Sequence, residues 1–127
     1  MSKSLFTIEY SLNNVSPAVL WNSIGNPLGL SEWFADGVTV KGNEHTFSWE
    51  KYEQTAFLQQ TKQNQFIRFQ WEEDEGTEYY FELQIIIVPL TTEVILMVTD
   101  FAEEDEKEDA ILLWNKQIDE LKRKTGM

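Results

Sequence analysis

Residues 99–127 read Thr99-Asp100-Phe101-Ala102, then an acidic run EEDEKED over 103–109, then AILLWNKQIDELKRKTGM over 110–127. In the last part Ala110, Ile111, Trp114, Ile118 and Leu121 recur at helical spacing and mark one apolar face. Acids crowd the first turns and Lys122, Arg123 and Lys124 the last, the arrangement a helix macrodipole favours. Gly126 offers a left-handed stop. The stretch therefore predicts one long amphipathic helix, and its greasy face requires a large apolar partner.

Upstream of it the pattern changes from helical to alternating. Val38–Gly42 and Thr46–Glu50 flank a Gly42-Asn43-Glu44 hairpin signal. Glu53–Thr61 and Phe66–Glu72 flank the polar turn Lys62–Gln65, and an acidic turn follows from Glu72 to Gly76. Thr77–Val88 and Glu93–Phe101 flank Pro89-Leu90-Thr91-Thr92. Connections this short make the strands antiparallel neighbours. One face collects Phe47 and Trp49; Ile67, Phe69 and Trp71; and Tyr79, Phe81, Leu83, Ile85 and Ile87. If Val88 closes the last hairpin against Glu93, Ile87 meets Val94, Ile85 meets Leu96 and Leu83 meets Val98. That face is the expected seat of the C-terminal helix.

The chain begins with a further strand over Ser4–Leu12, where Phe6, Ile8, Tyr10 and Leu12 alternate with polar residues. Asn13-Asn14 reads as a turn. Ser16-Pro17 and Asn26-Pro27 each place a capping side chain before a proline, so two short helices follow in tandem, the first stopping at Gly25 and the second near Trp33-Phe34. The fold class is therefore α+β: an antiparallel sheet of about seven strands, two short helices after the first strand, and a long C-terminal helix. A single domain over 1–127 is expected, with no repeat or linker.

The opposite face of the last hairpin carries Ile86, Val88, Ile95 and Met97, where polar residues are the rule. Either a neighbouring segment covers them or they form a homodimer interface.

Twenty-two acids against ten Lys and Arg give a net charge of −12, which repels phosphate backbones and anionic lipid surfaces. Neither nucleic-acid binding nor stable membrane insertion is expected. No run resembles a signal peptide or a membrane span, and the absence of cysteine suits a reducing, cytoplasmic setting. No catalytic motif is visible. The one histidine, His45, stands beside a predicted turn and is expected at the solvent-exposed rim. Zinc spacing, a calcium loop and a glycine-rich phosphate loop are missing, so no metal and no cofactor is expected. Asp36, Tyr10, Tyr79 and Tyr80 are the polar groups that could reach a cavity.

The order of elements carries a resemblance. Ser16-Pro17 through Trp33-Phe34-Ala35-Asp36, then Val38-Thr39-Val40, Phe47-Ser48-Trp49, Ile67–Trp71, Thr92–Phe101 and Leu113–Leu121 are spaced as in the START-like (SRPBCC, helix-grip) superfamily, in its activator-of-heat-shock-ATPase-like branch. The runs Gly29–Asp36 and Thr99–Glu106 are similar to uncharacterised START-like proteins from Bacteroidetes-type bacteria. The resemblance implies a curved sheet wrapped around the C-terminal helix, with a cavity between them for a small hydrophobic, lipid-like or aromatic ligand. Trp33, Phe34, Trp49, Phe69, Trp71, Phe81, Leu83, Ile111, Trp114 and Ile118 are the expected lining. These rings either line a cavity or fill it. A non-catalytic binding module is the first expectation; a co-chaperone-like interaction module dimerising through the outer face, or a polyketide-cyclase-type enzyme, are the alternatives.

Overall fold

The computed structural model describes residues 2–12 and 15–126, so the expected turn at Asn13-Asn14 lies outside the described residues. The strands are β1 (Ser4–Leu12), β2 (Gly37–Lys41), β3 (Glu44–Trp49), β4 (Tyr52–Lys62), β5 (Phe66–Trp71), β6 (Phe81–Ile87) and β7 (Val94–Ala102). The helices are α1 (Pro17–Ile24), α2 (Pro27–Trp33) and α3 (Lys107–Thr125). All seven strands form one antiparallel, curved sheet in the order β1-β7-β6-β5-β4-β3-β2. Six strands meander, and β1 returns to pair with β7 along its whole length, Ser4 opposite Ala102 and Leu12 opposite Val94.

Local chemistry sets the boundaries. Ser16 and Asn26 accept backbone N–H bonds from Val19 and Gly29, and a proline starts each short helix. Such caps are worth roughly 0.5–2 kcal/mol each, which helices this short require. Gly42 turns the β2–β3 hairpin at φ 65°, and Gly126 ends α3 at φ 79°. At the acidic start of α3, Glu106 occupies the cap position without a side-chain cap bond.

The register of the last hairpin is the predicted one, with Leu83 opposite Val98, Ile85 opposite Leu96 and Ile87 opposite Val94. Strand β6 is shorter than the alternation suggests. The Gln70 side-chain amide donates to the carbonyls of Thr77 and Tyr79 at 3.1 and 2.8 Å, so a side chain satisfies this segment where a ladder was expected. Tyr79 consequently leaves the inner face and packs on Phe101. Ile87, at the far end, is 49% exposed, beyond the core.

The core lies between the concave face of the sheet and the three helices. Phe47, Phe69, Leu83, Leu96 and Val98 from the strands are fully buried with Leu20, Ile24, Ile118 and Leu121 from the helices. Each such side chain contributes roughly 1.5–3 kcal/mol by leaving water. No helix among the described residues is long and apolar enough to cross a membrane.

Candidate functional site

Helix α3 meets two different surfaces. Its later turns place Ile118 and Leu121 in closed aliphatic core. Its first turns, with Trp114, meet a group of rings centred on Phe34, the residue that ends α2. The Phe34 ring lies 5.0 Å from Phe47, 5.7 Å from Phe81, 5.9 Å from Trp114 and 6.0 Å from Trp49. Its carbonyl accepts two bonds at 3.1 Å, from Trp49 Nε1 and Gln117 Nε2. One residue thus ties α2, β3 and α3 together.

Beside this group a cleft of about 300 Å³ opens between the sheet and α3. Phe34, Trp49, Tyr52, Gln54 and Trp71 form one wall, with Ala110, Leu113, Trp114 and Gln117 opposite and Asp100 between them. The α3 residues fall at i, i+3, i+4 and i+7, one helical stripe. The cleft shares Phe34, Trp49, Leu113 and Gln117 with an outer recess of about 560 Å³, lined also by Trp33, Asp36, Lys116 and Lys124.

Asp100 is the chemically distinctive group. Its Oδ2 accepts from Trp114 Nε1 at 2.9 Å and its Oδ1 from its neighbour's backbone, Phe101 N, at 2.7 Å. Burial raises its pKa above the ordinary 3.8; those two hydrogen bonds and Lys3 oppose the shift, while Asp74 adds to it.

The START-like superfamily domain matches residues 1–127. The chain belongs to the START-like superfamily. A solution structure of a Bacteroides fragilis protein is 38% identical, with 98% of this chain and 92% of that chain covered and a TM-score of 0.69. The solution structure of the Aha1 dimer from Colwellia psychrerythraea has a TM-score of 0.77 at 13% identity, covering 94% of this chain and 93% of that one. A Cytophaga hutchinsonii protein reaches 0.70 at 15% identity, covering 97% and 94%. The last two are likenesses of fold. The chain matches none of the curated proteins.

In this START-like domain the expected lining residues divide. Phe34, Trp49, Trp71 and Trp114 line the cleft, and Trp33 lines the outer recess. Phe69, Phe81, Leu83 and Ile118 stand in closed core, with Ile111 half-buried against it. On the outer face Ile86, Val88, Ile95 and Met97 are half-buried, Ile86 directly opposite Ile95.

Three of the polar candidates have other partners. The Tyr10 hydroxyl donates to Asn115 Oδ1 at 2.7 Å, fastening β1 to α3, and burial pushes its pKa up to about 12. Tyr79 Oη accepts from Lys3 N, and Tyr80 lies under the Arg68 guanidinium. Asp36 lines the outer recess.

His45 corrects an expectation. It is buried, its ring 4.9 Å from Phe69, and desolvation lowers its pKa below 6.5 against a bond to the Asn43 carbonyl. The reason is register: His45 points inward with Phe47, two residues along β3. At the α3 entry, exposed or half-exposed Glu103, Asp105 and Glu106 bring carboxylate oxygens within 4.8 Å of one another.

The residues the alternation did not single out are Asp100, Gln54, Tyr52, Leu113 and Gln117. A signal existed for the first. The inward phase of β7 reads Val94, Leu96, Val98, Asp100, Ala102, and the one charge in it faces the cleft.

Proposed function

We propose that this START-like domain is a non-catalytic binding module that holds one small, largely apolar molecule in the cleft between α3 and the sheet. The observation that carries this reading is the cleft itself, about 300 Å³ walled by Phe34, Trp49, Trp71 and Trp114 beside an otherwise closed core. That volume is at the small end of ligand pockets, and mostly apolar walls with a few polar groups are their usual make-up. The polar groups that converge there are one carboxylate, two amides and the Tyr52 phenol. His45, the one histidine, stands in the core against Phe69. That inventory supports binding over turnover.

Native mass spectrometry of wild type and Ala110→Phe tests the reading. Ala110 lines the cleft, and a ring there fills it. A co-purifying mass on wild type that disappears from a folded Ala110→Phe protein is expected. A bare wild-type mass, together with indole N–H resonances that neutral aromatic probes leave unmoved, overturns it.

A second reading rests on the outer face. Ile86 and Ile95 pair across β6 and β7, with Met97 and Val88 beside them, in half-exposed positions. The same fold occurs as a dimer in the Colwellia psychrerythraea Aha1 structure. A homodimer through this face predicts that Met97→Glu shifts the sedimentation coefficient from dimer to monomer. Monomeric behaviour of wild type at micromolar concentration removes the reading.

A further inference from the structure

The one formal charge presented to the cleft is negative. Among the described residues that line it, Asp100 is the one Asp, Glu, Lys, Arg or His side chain. Each Asp100 oxygen accepts one bond from the protein, and among the described residues neither joins an ion pair. A carboxylate has about four acceptor sites, so capacity remains on both oxygens. The indole N–H of Trp49 is engaged by the Phe34 carbonyl and that of Trp114 by Asp100. Neither of these two N–H groups is therefore left for a guest, and what both rings offer is aromatic surface, which attracts a cation at its π face. Gln54 and Gln117 each donate an amide N–H to a protein oxygen, of Glu73 and Phe34 respectively.

An anion in this cleft meets Asp100 with like charge. A purely apolar guest strips water from that carboxylate and leaves its spare acceptor sites unfilled. A hard metal ion needs six or more oxygen ligands, and these walls are mostly rings. A positive charge carried on an apolar body satisfies both the carboxylate and the rings. The net charge of −12 favours the approach of cations in general, although the outer recess is mixed, with Glu32, Asp36 and Glu120 against Lys116 and Lys124.

We infer that the cleft selects an organic ammonium ion with an apolar body, its positive head beside Asp100 and among the rings of Trp49, Trp71 and Trp114. The inference rests on the cleft being the binding site, as proposed above, and adds the chemical class of its ligand. Burial raises the Asp100 pKa, and an ammonium alongside it favours the ionised form.

The test uses two probes of one shape, (3-hydroxyphenyl)trimethylammonium and 3-tert-butylphenol, which differ in a nitrogen cation against a carbon. Both are titrated into the full chain while the indole N–H resonances are followed. The cation is expected to bind about tenfold more tightly than the neutral probe, the scale of a partly desolvated cation–π contact with a carboxylate beside it. Asp100→Asn should abolish most of that preference and leave the neutral probe within about twofold, since the amide keeps the shape without the charge. Equal binding of the two probes to wild type overturns the charge selection and leaves the cleft as the site. Binding of neither overturns both. The wild-type comparison holds even if Asp100→Asn fails to fold.

Discussion

The two ends of α3 sit on the same sheet and solve the packing problem differently. Ile118 and Leu121 belong to the part of the core that also holds Leu20, Ile24, Leu83, Leu96 and Val98, flexible or branched aliphatics that reach full burial. Around Trp114 the neighbours are flat rings with centroids 5–6 Å apart and interplanar angles from 23° to 78° around Phe34. Rigid plates tile a curved surface unevenly, and where Gln54 and Asp100 take inward positions on β4 and β7 no aliphatic fills the remainder. One helix is therefore core at its end and a cleft wall at its start. The difference comes from side-chain shape and polarity, since α3 is one continuous helix over both regions.

Deleting a ring from the closed side breaks the comparison most severely. Phe81 is buried, stacked on Phe69 at 5.4 Å and close to Trp71 at 5.0 Å. Phe81→Ala should cost about 3–5 kcal/mol in urea denaturation. Leu113, 58% exposed on the cleft wall, should cost only about 0.5 kcal/mol as alanine. Similar losses at the two positions would mean that the cleft is closed in solution and the two ends of α3 are one core.

Trp114 belongs to both sides, and its nitrogen can be separated from its ring. Trp114→Phe keeps an aromatic plate against Phe34 and Phe81 and removes the 2.9 Å bond to Asp100. A hydrogen bond to a charged group is worth about 1.5–3 kcal/mol, and that loss is expected. In a double-mutant cycle with Asp100→Asn the two effects should be strongly non-additive. Additive losses would show that the indole stabilises through packing alone and that Asp100 is not held by it.

How much of this was legible follows from the same contrast. The closed side is read from period alone: Leu83, Ile85, Leu96, Val98, Ile118 and Leu121 fall in phase, and the register of the last hairpin came out residue for residue. A pattern of apolar positions says which face is buried; it does not say whether rings meeting there leave a gap. Hence Phe69 and Phe81 were grouped with Trp49 and Trp71, although only the latter pair faces the cleft. Asp100 was visible as a charge in an inward phase, but its partner lies 14 residues on, across the turn into α3. Tyr79 was misplaced because Gln70 bonds the Thr77 and Tyr79 carbonyls and ends the ladder, a side-chain effect outside any two-residue alternation. The buried His45 shows the converse error, where nearness to a turn outweighed the inward phase it shares with Phe47.

The smallest effect distinguishes the two environments by sign. On the cleft side Asp100 has its pKa raised above 3.8 by burial, so the folded chain takes up this proton at higher pH than the unfolded chain does. As pH falls from neutral through that raised value the group adds stability, and the gain is complete below 3.8. On the core side His45 has its pKa lowered below 6.5 by burial, so the unfolded chain takes up that proton first. Its contribution is full above 6.5 and is lost as pH falls through 6.5 toward the folded value. Urea midpoints measured from about pH 7.5 to about pH 4 should therefore respond oppositely to the two substitutions. Asp100→Asn should steepen the loss of stability on acidification, and His45→Gln should flatten it. The slopes matter and the offsets do not, since either substitution also changes packing at every pH. Equal slopes in wild type and both variants would mean that water reaches the cleft carboxylate and the core imidazole alike, and the division between an open and a closed half of the interface would fail.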